Sequence, residues 1–80
     1  MQITVRTFAS LRELSVDRCE LTLADDATLA DAWDEMVSRH PRLAPHRPYV
    51  RGARNGAYVP WDTPLADGDM VALLPPVSGG

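Results

Sequence analysis

An α+β domain, with one principal helix lying across a mixed sheet of four or five strands, is the fold class the sequence predicts. Gln2 to Phe8 and Arg18 to Leu23 alternate apolar and polar residues with the period of a strand. Leu29 to His40 repeats apolar residues at helical spacing. Asn55-Gly56 and Asp67-Gly68-Asp69 are turn signals between the shorter apolar runs of the second half.

In the first strand Ile3, Val5 and Thr7 share one face, and Gln2, Thr4 and Arg6 the other. Ser10-Leu11-Arg12-Glu13 has the S-x-x-E form of a capping box, predicting a short helix that carries Leu11 and Leu14. Cys19, Leu21 and Leu23 form the inward face of the second strand, so the chain opens as a hairpin-like pair. Thr28-Leu29-Ala30-Asp31 is a second capping signal, with Asp31 in the first turn, where the helix dipole favours an acid. Leu29, Ala32, Trp33, Met36, Val37 and His40 then make one wide apolar stripe, and Pro41 stops the helix. Residues 41–48 hold three prolines and read as a loop. Tyr49 to Arg54 reads as a strand, Asn55-Gly56 as a type I′ turn, and Ala57 to Val59 as a short returning strand. Pro60 and Pro64 interrupt regular pairing, and Met70 to Leu74 is a last strand, apolar on both faces.

Eighty residues are enough for one modest core, since a chain of this size buries roughly 60–65% of its unfolded surface. A deep substrate cavity would consume that core, which disfavours a self-contained enzyme. Hydrophobic content of 45% and charged content of 24% are ordinary for a globular protein. The apolar runs are too short to cross a bilayer and no signal peptide opens the chain, so a cytoplasmic protein without a membrane role is expected. The single cysteine, Cys19, cannot form an internal disulfide and fits a reducing compartment. Net charge is −3 and all eight basic residues are arginine, which argues against nucleic acid as the main partner. Arg42, Arg47, Arg51 and Arg54 are interleaved with Pro, His and Tyr and read as a solvated loop and strand rather than an anion site. Without lysine, the chain cannot be linked to copies of itself through side-chain isopeptide bonds.

Conventional catalytic equipment is missing. His40 and His46 have no cysteine or paired carboxylate near them in sequence, so no metal site is expected. Cys19 reads as a buried, inert thiol, and Asp25-Asp26 and Asp67-Asp69 as turn chemistry. The end of the chain is different. Residues 1–74 read as the folded domain and 75–80 as an extended tail. Pro75 and Pro76 stop the last strand and hold the next residues extended, and six residues reach roughly 20 Å. Val77 and Ser78 lead to Gly79 and Gly80, which lack a Cβ and can thread a slot too narrow for other residues. Their cargo is the α-carboxylate of Gly80. ATP can convert such a carboxylate to an acyl-adenylate, and attack by sulfide then gives a thiocarboxylate. Taken alone, a terminal Gly-Gly favours a frayed end that happens to finish in glycine.

Phe8-Ala9-Ser10-Leu11-Arg12-Glu13-Leu14, the Asn55-Gly56 turn, Thr63 to Asp69 and the ending Val71-Ala72-Leu73-Leu74-Pro75-Pro76-Val77-Ser78-Gly79-Gly80 resemble the small, sulfur-carrying subunit of molybdopterin synthase. The resemblance runs the length of the chain and is most specific in its tail. It implies the ubiquitin-like β-grasp fold and no activity of the chain by itself. It also implies a cycle in which an ATP-dependent adenylating enzyme activates Gly80 and sulfur replaces the AMP. The thiocarboxylate then enters the large synthase subunit and donates sulfur to cyclic pyranopterin monophosphate, forming the dithiolene of molybdopterin. No bound cofactor is implied beyond the thiocarboxylate, and the usual assembly is a heterotetramer. The family's docking patch maps to Phe8, Tyr58 and Leu74. Strand phase supports an outward position independently, because Phe8 is out of step with Ile3 and Val5, and Leu74 with Val71 and Leu73. Arg51-Gly52 and Arg54 stand where the family favours small or apolar residues, which predicts locally altered strand pairing and, with it, a shift in partner choice. A ubiquitin-like protein modifier is the alternative from another class. Sulfur carriers for thiazole, amino-acid or tRNA thiolation, and a plain interaction domain, are the others.

Overall fold

The alternation of the first segment is realised as strand β1 (Gln2–Thr7), with Ile3, Val5 and Thr7 all buried, in a computed structural model that describes residues 1–76. Thr7 is buried despite its hydroxyl because that group donates to the Val16 carbonyl, while its backbone N–H donates to Asp17 at 3.1 Å. A short helix α1 (Ala9–Glu13) comes next, burying Leu11. The capping box expected at Ser10 does not form: the N-cap is Phe8, which makes no side-chain cap bond. Phe8 ends the strand in extended geometry, and Ala9 turns the chain with φ of 49°. Ser10 is thereby drawn inside the first turn, beyond the capping position.

Strand β2 (Arg18–Thr22) pairs antiparallel with β1, with Cys19 opposite Val5 and Arg18 opposite Arg6. Helix α2 (Leu29–Arg39) has the expected box: Thr28 Oγ1 accepts from the Asp31 N–H, and the Thr28 N–H donates to Asp31 Oδ2 at 2.8 Å. The next orphan donors are met from a distant segment, Leu29 N–H by the Thr63 carbonyl at 2.9 Å and Ala30 N–H by that of Trp61 at 2.8 Å. That irregular stretch, which Pro60 and Pro64 keep out of the sheet, thus serves to seat the helix. Leu29, Ala32, Trp33 and Met36 are buried, and Trp61 meets Trp33 edge-on with centroids 5.9 Å apart.

Residues 41–48 are not a loop. Pro41–Tyr49 forms a 3-10 helix, and the strand after it starts at Arg51 rather than Tyr49. Proline fixes φ near the 3-10 value and lacks the N–H that an α-helix would require, so Pro41, Pro45 and Pro48 suit this tighter form. Buried Leu43 anchors the segment to the core. Strand β3 (Arg51–Arg54), the Asn55-Gly56 turn and β4 (Ala57–Tyr58) make a hairpin, with φ of 50° and 89° at the turn as type I′ requires. β4 stops one residue short of Val59. Pairing around Arg51 and Arg54 is regular: β3 runs antiparallel to β5 (Met70–Leu74) through Arg51↔Leu74, Gly52↔Leu73, Ala53↔Ala72 and Arg54↔Val71. Gly52 is tolerated in that run because it faces Leu29, which fills the space a side chain would take.

The strand order is β2-β1-β5-β3-β4, with β1 and β5 parallel at the centre and an antiparallel partner on either side. This is the mixed sheet with a helix across it that the sequence predicts, in the β-grasp arrangement. Core side chains come from the helix-facing side of the sheet (Ile3, Val5, Leu21, Val71, Leu73) and from α2, Leu43, Val50 and Leu65. Among the described residues, no helix covers the other face of the sheet.

Candidate functional site

Strand phase decides which residues this uncovered face displays. Arg6 lies beside Ala72 across the parallel β1–β5 pair, Ala53 beside Ala72 and Tyr58 beside Ala53 across the antiparallel ones. Continuing the register one step sets Phe8 beside Leu74 at the end of the sheet where the chain leaves β5. The outcome is a shallow groove of about 250 Å³ lined by Phe8, Ala53, Gly56, Tyr58, Ala72 and Leu74. The three residues singled out in the sequence therefore share one surface feature. Phe8 and Leu74 are half-buried, and Tyr58 is 62% exposed. Sequence reasoning misses Ala53, Gly56 and Ala72 because small residues give little signal individually. Their place on the same face as Leu74 is readable only once the register of β3 on β5 is known.

Two aromatic walls of the groove carry arginines. The Arg6 guanidinium lies 5.2 Å from the Phe8 ring centroid and that of Arg51 5.4 Å from Tyr58. A neighbouring depression of about 340 Å³ is lined by Tyr49, Arg51, Tyr58, Leu74, Pro75 and Pro76. It lies where the chain departs, with Pro75 half-buried and Pro76 exposed. Val77, Ser78, Gly79 and Gly80, the candidate tail, lie outside the described residues.

Beside the groove, the end of the β3–β4 hairpin is locked to the entrance of β5. Asp69 is buried, and its carboxylate accepts from Arg54 Nε at 2.8 Å, Asn55 Nδ2 at 2.9 Å and the Ala66 N–H at 2.8 Å. Burial pushes its pKa up, but those three donors outweigh it and hold the carboxyl below its ordinary value. Asn55 Oδ1 returns the contact by accepting from the Met70 N–H at 2.9 Å. Arg54, expected to be solvated, is thus a structural ion-pair partner, and Arg47 stacks on Trp61 at 3.9 Å. Asp67 also serves the fold, accepting from the Gln2 N–H at 2.7 Å.

The other candidate chemistries have ordinary explanations. Cys19 packs against the core with its sulfur 3.4 Å from that of Met36, and burial pushes its thiol pKa up, with nearby Arg39 opposing. His40 is the C-cap of α2, and His46 lies in the 3-10 segment. Among the described residues, no group of three or more His, Cys, Asp or Glu side chains could hold a metal ion, and no helix is long and apolar enough to cross a membrane.

Comparison with known proteins finds relatives over the whole chain. Residues 5–80 match the model of the ThiS family. The molybdopterin synthase sulfur carrier subunit of Chlamydomonas reinhardtii is 40% identical, the match covering 100% of both chains. Among solved structures, small archaeal modifier protein 1 of Haloferax volcanii superimposes with a TM-score of 0.87 at 31% identity, over 100% of each chain. A chain in the complex of subunits 1 and 2 of the molybdopterin-converting factor of Helicobacter pylori does so with a TM-score of 0.71 at 27% identity, again over 100% of each. With a family model matching nearly its whole length and a full-length relative at this identity, the chain belongs to the ThiS family.

Proposed function

We propose that this chain is the sulfur carrier of molybdopterin synthesis, a folded domain over residues 1–74 that presents a tail, 75–80, to partner enzymes in the cytoplasm. The observation that carries the reading is the position of the groove. Phe8, Tyr58 and Leu74 line it, and Pro75 comes directly after Leu74, so a partner seated there receives the tail at its own active centre. The full-length likeness to a molybdopterin synthase sulfur carrier subunit, and to a chain found in complex with its second subunit, supports the same assignment.

In this reading the Gly80 carboxylate attacks the α-phosphate of ATP within an adenylating enzyme, releasing pyrophosphate and leaving an acyl-adenylate. A sulfide-level nucleophile then displaces AMP and leaves a thiocarboxylate. Pro75 and Pro76 act as the spacer, while Val77, Ser78 and Gly79 thread the approach to the large synthase subunit. There the sulfur attacks cyclic pyranopterin monophosphate, and water hydrolyses the resulting acyl–sulfur bond, leaving sulfur on the pterin and returning the tail as a carboxylate. ATP belongs to the activating enzyme, the chain itself holds no cofactor, and two small subunits flank a central dimer of large ones. Removing Gly80 should abolish sulfur loading and leave the fold unchanged by circular dichroism; loading that survives the deletion would end the proposal.

A second reading is favoured by the likeness to small archaeal modifier protein 1. A modifier would pass the same activated carboxyl to a lysine of a target. Immunoblots of host cells expressing a tagged chain separate the two: a ladder of lysine-linked conjugates that needs Gly80 supports the modifier, and a single unconjugated band the carrier.

A further inference from the structure

The exposed sheet face is polarised. Arg6 and Arg18 stand directly opposite each other across β1 and β2, and Arg51 stands opposite Leu74 across β3 and β5. Like charges facing each other across a strand pair destabilise a sheet. Among the described residues no carboxylate forms an ion pair with Arg6, Arg18 or Arg51. The Nε of Arg6 is also buried without a hydrogen-bond partner. Glu20, two residues from Arg18 along β2, accepts from Gln2 Nε2 at 3.4 Å, and Asp17 is held loosely by Arg12 at 3.9 Å. Asp25, Asp26, Asp31, Asp34 and Glu35 lie along the entrance and body of α2, and Asp67 and Asp69 are engaged by Gln2, Arg54 and Asn55.

From this we infer that the groove is one part of a composite docking surface whose partner presents an apolar knob rimmed by carboxylates. The knob enters between Phe8, Tyr58 and Leu74, and the carboxylates meet Arg6 and Arg18 on one side and Arg51 on the other. The inference rests on the docking reading above and adds the partner's charge to it. Charge complementarity carries it: the fold keeps a like-charge pair, Arg6 opposite Arg18, and Arg51 without a carboxylate partner around an apolar groove, and an acidic rim offsets that charge. A polyanion such as RNA fits less well, because the centre of the surface is apolar and the chain as a whole has a net charge of −3.

The test uses calorimetric titration of the full chain against the large synthase subunit of the same host, at several salt concentrations. The variants are Arg6→Ala, Arg18→Ala, Arg51→Ala and, for the groove, Phe8→Ala. Each arginine variant should bind roughly two- to fivefold more weakly at low salt and show a shallower salt dependence. Phe8→Ala should lose more affinity with the salt dependence unchanged. Arg18→Ala should also melt at the same or a higher temperature when free, so weaker binding cannot be ascribed to unfolding. Wild-type affinity that is independent of salt, with arginine variants binding as wild type, overturns the acidic rim while a defective Phe8→Ala leaves the docking reading standing. Full binding by Phe8→Ala overturns the docking reading itself. Tighter binding to a single-stranded RNA probe than to the large subunit, lost in the arginine variants, assigns the face to nucleic acid and overturns the proposal.

Discussion

Gly52→Ala isolates the contact that sets how closely α2 lies against the sheet. A Cβ at position 52 would meet Leu29 Cδ2 at 2.4 Å, Cγ at 3.1 Å and Cδ1 at 3.2 Å. A flexible side-chain end could swing away from one such contact, but Leu29 is fully buried and all three of its outer atoms are involved. Gly52 has no positive φ, so an alanine suffers no backbone strain there and steric overlap is isolated as the cause. Overpacking of this kind costs about 1–3 kcal/mol. Loss of glycine's freedom in the unfolded chain offsets roughly 0.4–1 kcal/mol of that. A net loss of about 1–2 kcal/mol is therefore expected, and it should lower Tm by roughly 4–8 °C for each kcal/mol in a domain of this size. Thermal melts and urea titrations supply both quantities. Leu29→Ala opens the space at a cost of about 2–5 kcal/mol, and in that background Gly52→Ala should become neutral or stabilising. Equal destabilisation in both backgrounds would refute the contact as the reason for glycine.

Other perturbations test the elements around the site. Thr28→Ala removes the hydroxyl that caps α2 and should cost about 0.5–2 kcal/mol by urea denaturation, with Thr28→Ser largely restoring it. Because Asp69 has a depressed pKa when folded, its contribution to stability is fully present above the ordinary value of 3.8 and is lost as pH falls through the lower folded value. The gap in Tm between wild type and Asp69→Asn should thus be constant near neutral pH and close in the acid range; a gap that widens on acidification contradicts the ion-pair assignment. Tyr58→Ala, at a side chain 62% exposed, should leave Tm within a few degrees of wild type while weakening binding to the large synthase subunit.

Much of the fold is legible in the sequence because its signals are local. Period-two alternation in β1 and β2, the helical stripe in α2, the Thr28 box and the Asn55-Gly56 turn each depend on residues close in sequence, and each is found at its expected place. Failures arise where a distant contact overrides a local pattern. Ser10 carries the right spacing for a cap, but the exit geometry of β1 through Phe8 and Ala9 starts the helix early. The proline-rich segment looks structureless by composition, yet three fixed φ angles and the burial of Leu43 stabilise a 3-10 helix. Arg54 looks solvated in the sequence because its partner, Asp69, is 15 residues away and meets it only through the β3–β5 pairing. For the candidate site, phase alone identifies Phe8 and Leu74 as outward-facing. Their convergence with Tyr58, and the arginines that stack on two walls, come from strand order, which no single stretch of sequence encodes.

The most direct test of the carrier assignment is an intact-mass measurement. The chain ending at Gly80 is incubated with its adenylating enzyme, ATP and a sulfur source, then weighed by mass spectrometry before and after addition of the large subunit and pterin precursor. The account predicts a mass increase equal to replacement of one oxygen by sulfur, confined to the C-terminal fragment. It predicts reversal of that increase as molybdopterin forms. A mass that never changes, or a sulfur-loaded chain that yields no molybdopterin with the large subunit, would contradict it.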